Sequence, residues 1–163
     1  MKQSIFILMA CCIFSFTTAS QNSADKKIYA SYKEMVTAAK KEVQLITIDE
    51  FHTLYTKALG VGGEDFTLID IRTEGEFVQG FIPGAFLVQR GTLESRLEKD
   101  EVWEDYNHKK PQKTDHIILY CRSGSRSALA AKTLQLLGYT NVKSLEGGWR
   151  DWSEKFPNLK KTN

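Results

Sequence analysis

The sequence predicts an α/β fold: a mostly parallel, five-stranded sheet with helices on both faces. Three observations carry that prediction. Five short strand segments, apolar-rich at residues 45–48, 66–71, 86–88 and 117–120 and more polar at 142–145, are separated by stretches with helical spacing of apolar positions. Such alternation calls for parallel strands covered by helices on both sides. At 163 residues the chain can bury one substantial core.

The stretch around which the rest is organised is residues 116–127, HIILYCRSGSRS. The run Ile117-Ile118-Leu119-Tyr120 reads as a buried strand ending in Cys121. A polar loop with one glycine, Gly124, follows, and a helical pattern runs from about Arg126 to Leu137 before Gly138 stops it. A strand feeding a glycine loop and a helix start makes an anion site, because the first N–H groups of a helix have no internal partner. Helix N-termini and nearby arginines favour a thiolate, and Arg122 and Arg126 flank this loop. A strand-end cysteine alone is more readily read as a packing residue. The arginines, the glycine and the helix start point to a nucleophile.

The elements follow in order. Residues 31–34, Ser-Tyr-Lys-Glu, fit a capping box that opens a helix carrying Met35, Val36, Ala39 and Val43. This helix belongs to an N-terminal extension, residues 21–44, that docks on the domain. Thr47 or Asp49 caps a second helix with Phe51, Leu54, Tyr55 and Ala58 on one stripe, stopped by Gly60. Residues 61–65 are a glycine-rich turn without phosphate-loop spacing. After the strand at 66–71, Thr73-Glu74-Gly75-Glu76 offers another capping box. Asp70, Arg72 and Glu76 sit at the carboxyl end of that strand, where open α/β sheets place their sites, and are expected to pair and brace the loops. Residues 92–106 read as one helix with Leu93, Leu97 and Trp103 inward. A last short helix runs through Trp152 to Phe156, and residues 158–163 form a tail.

Composition excludes several classes. The chain is 42% hydrophobic and 26% charged, typical of a globular protein, and its formal charge of +2 gives no footprint for nucleic acid. Residues 1–20 combine Lys2, an apolar run over residues 5–16 and the small-residue site Thr17-Thr18-Ala19, the pattern of a secretory signal peptide. The apolar run is too short to span a bilayer, so stable membrane insertion is not expected and the mature protein is expected in the periplasm or outside the cell. Leu8-Met9-Ala10-Cys11 resembles a bacterial lipoprotein box, leaving lipid anchoring through Cys11 as the lesser alternative. Cys11 and Cys12 fall in the signal segment, so Cys121 stands alone in the mature chain and no internal disulfide can form. There is no Cys-x-x-Cys, no cluster with metal-ligand spacing and no cofactor motif.

The segments FTLIDIRTEGEFVQGFIPGA, HIILYCRSGSRSALAAKTLQLLGYTNV and SLEGGWRDW, in that order, resemble the rhodanese-like sulfurtransferases. The resemblance covers about residues 45–156, and the domain is placed at residues 45–157. It implies a rhodanese-like α/β fold and a catalytic cysteine, Cys121, that carries sulfur as a persulfide. Arg122, Ser123, Gly124, Ser125, Arg126 and Ser127 would form the cradle. Small sulfur anions such as thiosulfate would be donors, with cyanide or thiols as acceptors. Arg90 matches a position near the pocket mouth. The chain departs from the family at Phe81, where a histidine is common, and an altered rim is expected there.

Physical chemistry supports this reading independently. A thiolate attacking an anion must overcome like-charge repulsion, and guanidinium forks bind oxyanions well. The persulfide is itself anionic and suits a cradle of N–H donors, and transfer to a second thiophile makes the cycle covalent. Cysteine phosphatases and arsenate reductases also place Cys, loop and Arg before a helix, but as Cys-x5-Arg. Here Arg126 comes one residue earlier and Ser127 takes that place. A non-catalytic rhodanese-like binding or redox-sensing module is the other alternative, although such modules commonly lack the cysteine.

Overall fold

The computed structural model describes residues 27–58 and 65–162. The sequence expectations for the signal segment, the lipoprotein box, Cys11, Cys12 and the Gly60 turn lie outside the described residues. Elements run in the order α1 (Tyr32–Glu42), β1 (Gln44–Ile46), α2 (Ile48–Ala58), β2 (Thr67–Asp70), α3 (Glu74–Val78), β3 (Phe86–Leu87), α4 (Leu93–Leu97), α5 (Asp100–Asp105), β4 (Ile117–Tyr120), α6 (Ser125–Leu136), β5 (Val142–Leu145) and α7 (Gly148–Lys155). The sheet has five strands in the order β1-β5-β4-β2-β3, and every strand pairing in it is parallel. The expected α/β architecture is present.

Strand β4 is the centre of the sheet, flanked by β5 and β2, and all four of its residues are buried. Because side chains alternate across a strand, the two faces separate cleanly. Ile117, Leu119 and Cys121 join a cluster with Ala128, Ala131 and Leu134 of α6 and Leu93, Leu97 and Trp103 of α4 and α5. Ile118 and Tyr120 join the opposite cluster with Phe51, Tyr55 and Trp152. Cys121 therefore lies on the α6 side, and Tyr120 points to the other.

Local sequence explains most boundaries. Ser31 caps α1 by accepting from the Glu34 N–H, while the Glu34 carboxylate takes the Ala30 N–H. Thr47 and Glu50 form the reciprocal box at the start of α2, and Thr73 and Glu76 do so at α3. Helix α6 ends in Gly138 at φ +86°, a left-handed position suited to glycine.

One expected element divides. The single helix at residues 92–106 is two short helices broken at Lys99, whose backbone is extended. On a continuous helix, Val102 and Trp103 would turn away from the face that Leu93 and Leu97 bury. The break re-aims them, so that all four are buried, and the Trp103 indole N–H donates to the Leu97 carbonyl at 3.0 Å.

The α2–α7 face is held by a nest of aromatic rings. Trp152 is fully buried, with Phe51 at 5.0 Å, Tyr55 at 5.4 Å and Phe156 at 4.9 Å between ring centroids. Its indole N–H donates to the Leu159 carbonyl at 2.8 Å, tying down the chain after α7. Trp152→Ala should therefore lower unfolding free energy by about 3–5 kcal/mol, the cost of emptying a large aromatic site. Urea unfolding followed by circular dichroism measures this; a loss below about 1 kcal/mol would show that the nest collapses around the gap.

Candidate active site

Cys121 follows the last residue of β4, so the central strand delivers it to the carboxyl edge of the sheet. It is only 1% exposed. Its neighbourhood is fixed by the glycine corner after β5. The Trp149 N–H donates to the Cys121 carbonyl at 2.8 Å, and the Arg150 N–H donates to the Arg122 carbonyl at 3.0 Å. That approach requires Gly148: at φ +59°, a Cβ there would lie 2.3 Å from the Cys121 carbonyl oxygen. Gly124 makes the reciprocal fit, since a Cβ on it would meet the Leu145 carbonyl at 3.1 Å.

Gly124, at φ +82°, is also the N-cap of α6 and offers no side chain to the helix end. Among the described residues, no backbone or side-chain acceptor takes the N–H groups of Ser123, Gly124, Ser125 or Arg126. These donors follow directly after Cys121 at the positive end of the α6 dipole, an arrangement suited to negative charge.

The two arginines of the loop differ. Arg126 grips Glu76 with both prongs, Nη1 to Oε2 at 2.9 Å and Nη2 to Oε1 at 2.8 Å. The Glu76 carboxylate also accepts the Thr73 N–H and hydroxyl, both at 3.2 Å. The Arg126 hydrogen bonds, helped by Thr73, bring Glu76 down to about 2, so the pair is intact throughout neutral and mildly acidic pH. Glu76 in turn raises Arg126, and the Cys121 thiol beside the guanidinium adds to the effect. Arg122 is exposed and has no ion-pair partner among the described residues.

Behind the sulfur are two buried hydroxyls. Ser127 Oγ donates to Cys121 Sγ at 3.8 Å, and Ser144 Oγ donates to Ser127 Oγ at 2.8 Å. Ser144 was not anticipated from sequence; its only signal is a small polar residue beside Lys143 in the short strand VKSL.

Of the three residues expected to brace the loops, Asp70 and Arg72 pair with each other. Arg72 Nη2 lies 2.7 Å from Asp70 Oδ2 and also donates to the Gly80 carbonyl at 2.7 Å. Both are buried, and the guanidinium lies over the Tyr120 and Trp149 rings at 5.7 and 4.9 Å from their centroids. Glu76 does not join them, because the α3 capping box aims it at Arg126. Arg90 is not brought to the loop. It pairs with Glu94 and donates to Thr133, two turns and about 12 Å along α6 from Ser125. Phe81 stacks on Phe77 at 4.1 Å and 12°, giving the α3 side an aromatic border. No group of three His, Cys, Asp or Glu side chains among the described residues could hold a metal ion.

Comparison with known proteins agrees with this geometry. Residues 47–155 match the model of the rhodanese-like domain family. The human thiosulfate:glutathione sulfurtransferase is 34% identical over 91 residues, covering 54% of this chain and 79% of that protein. The solved structure of the human single-domain sulfurtransferase TSTD1 superposes with a TM-score of 0.60 at 28% identity, covering 68% of this chain and 96% of that one. A Rhodopseudomonas palustris protein of unknown function, described as a possible tyrosine phosphatase, gives 0.64 at 28% identity, over 80% and 94% of the two chains. A strand-end cysteine followed by a loop of amides without protein acceptors, and a family match spanning four of the five strands, lead to one conclusion: the chain belongs to the rhodanese-like domain family.

Proposed function

We propose that this protein is a sulfurtransferase that moves a sulfane sulfur through a persulfide on Cys121. The observation that carries the reading is the set of amides from Ser123 to Arg126, without acceptors, around a cysteine at the end of the central strand. In the first half-reaction the Cys121 thiolate attacks the outer sulfur of a donor such as thiosulfate. The sulfur–sulfur bond of the donor breaks, sulfite leaves with the bonding pair, and Cys121 holds the anionic persulfide. A thiophile, cyanide or a thiolate, then attacks the outer persulfide sulfur and leaves as thiocyanate or a new persulfide, restoring the thiolate. The loop amides meet the persulfide charge as it forms. Ser127, hydrogen-bonded to the sulfur, holds the thiolate from behind.

We further propose that residues 1–20 direct export, that residues 21–44 form an accessory segment, and that residues 45–157 carry the chemistry outside the cytoplasm. The cysteine-phosphatase alternative is disfavoured by spacing, since Arg126 comes one residue earlier than in Cys-x5-Arg, and by the Glu76 pair that offsets its charge.

Incubation with thiosulfate should add one sulfur atom to the protein by intact-mass spectrometry, and cyanide should remove it as thiocyanate. Cys121→Ser should show neither the adduct nor turnover while unfolding cooperatively near the parent temperature, since a hydroxyl fits the space but stays protonated. Retained sulfur transfer in that variant, or p-nitrophenyl phosphate turnover by the parent, would overturn the proposal.

Arg126→Ala should leave Glu76 without its cation beside the loop. Its kcat/KM for thiosulfate should fall about 5- to 150-fold, corresponding to about 1–3 kcal/mol for one partner of a charged hydrogen bond. Unchanged kinetics would mean that the uncompensated Glu76 charge is not felt by the donor at the loop. In cell fractionation, the mature N-terminus should lie near Ser20 or Gln21 and the protein in the periplasmic or secreted fraction; full-length chain in the cytosol would contradict export.

A further inference from the structure

The charges around the loop are unexpected for a site that receives an anion. The loop carries Arg122 and Arg126, and the glycine corner beneath it carries Glu146, Arg150 and Asp151. Arg126 is taken by Glu76, and Arg150 Nε pairs with Asp151 Oδ1 at 2.7 Å. The deeper Arg72 is taken by Asp70. Arg122 and Glu146 are left without ion-pair partners among the described residues, and they too are of opposite sign. Glu74, exposed in the first turn of α3, adds a further carboxylate. The surroundings of Cys121 thus carry no net positive charge, although they include four arginines.

Glu76 decides this balance. Its carboxylate is fixed by four contacts, two from Thr73 and two from Arg126, and it closes the arginine fork from the side of α3. From this geometry we infer that Glu76 is a specificity-determining residue that cancels the Arg126 charge and tunes the cradle to donors with one negative charge over dianionic thiosulfate. The inference rests on the sulfurtransferase reading. Its physical basis is that a uniform potential acts on a dianion twice as strongly as on a monoanion, so any missing positive charge penalises thiosulfate more. A singly charged sulfane donor, an organic persulfide or thiosulfonate anion, can be held by the loop amides and Arg122 alone.

The test compares thiosulfate with the methanethiosulfonate anion, in which a methyl group replaces one charged oxygen. The chemistry is otherwise parallel: the thiolate takes the outer sulfur, the sulfur–sulfur bond breaks, and methanesulfinate leaves in place of sulfite. Glu76→Gln removes the charge but keeps the capping box, which accepts Gln at that position. In the full-length protein, kcat/KM should rise about threefold for methanethiosulfonate and about tenfold for thiosulfate, the square expected for twice the charge in a partly exposed site. Added salt should shrink the difference. The double variant Glu76→Gln with Arg126→Gln restores neutrality, and its ratio between the two donors should return to the parent's. Loosening of the loop would instead lower both rates together. An unchanged ratio in Glu76→Gln, or a shift towards methanethiosulfonate, would overturn the inference while leaving the sulfurtransferase reading in place. Failure of both donors to load sulfur on the parent Cys121 would overturn that reading and the inference with it.

Discussion

The structure depends on the close meeting of two glycine corners at the carboxyl edge of the sheet. Gly124 opens α6 and Gly148 opens α7, and each brings its backbone against the loop of the other. No larger residue fits at Gly148 without displacing the Cys121 carbonyl. The consequence is chemical as well as steric. By taking the Cys121 and Arg122 carbonyls as acceptors for Trp149 and Arg150, the corner fixes the loop from its carbonyl side. The N–H groups from Ser123 to Arg126 are left without acceptors among the described residues, at the positive end of the α6 dipole. The Cys121 and Arg122 carbonyls are satisfied by α7, whereas the amides that follow have no acceptor among the described residues.

Around this centre, charge is arranged in pairs. Asp70 and Arg72 are fully enclosed and satisfy each other and the Gly80 carbonyl, so they hold the turn after β2 without contributing net charge. Such a pair is weak evidence for net stability, but removing either partner would strand a buried charge. The second pair, Glu76 with Arg126, links the start of α3 to the start of α6 across the mouth of the site. The same bond that positions the arginine neutralises it. On the proposed sulfurtransferase reading, holding the donor anion then falls to the backbone and Arg122.

Much of this was legible in the sequence. The strands were placed by their apolar runs, and Cys121 with its loop by the strand–glycine–helix pattern, because both signals are local. The capping box at Thr73 was equally local, and it was realised. Three features were not legible, each for a reason. The break at Lys99 follows from where the core needs Trp103, which is a tertiary demand. The choice of Arg126 as partner for Glu76 joins residues fifty positions apart, and composition at the strand end suggested Arg72 equally well. Ser144 reaches the site only through the register of β5 with β4, in which Ser144 stands beside Leu119. Arg90 shows the converse: a residue whose sequence position resembled the pocket mouth is held by Glu94 and Thr133 on the flank of α6.

The central claim is that the loop amides, rather than a cationic side chain, hold the transferred sulfur. A crystal structure of the protein loaded from a sulfane donor tests it directly. The account predicts the outer sulfur of a Cys121 persulfide within hydrogen-bonding distance of the N–H groups between Ser123 and Arg126, with the Arg126–Glu76 pair still closed. An outer sulfur turned away from those amides, or held by Arg126 released from Glu76, would contradict it.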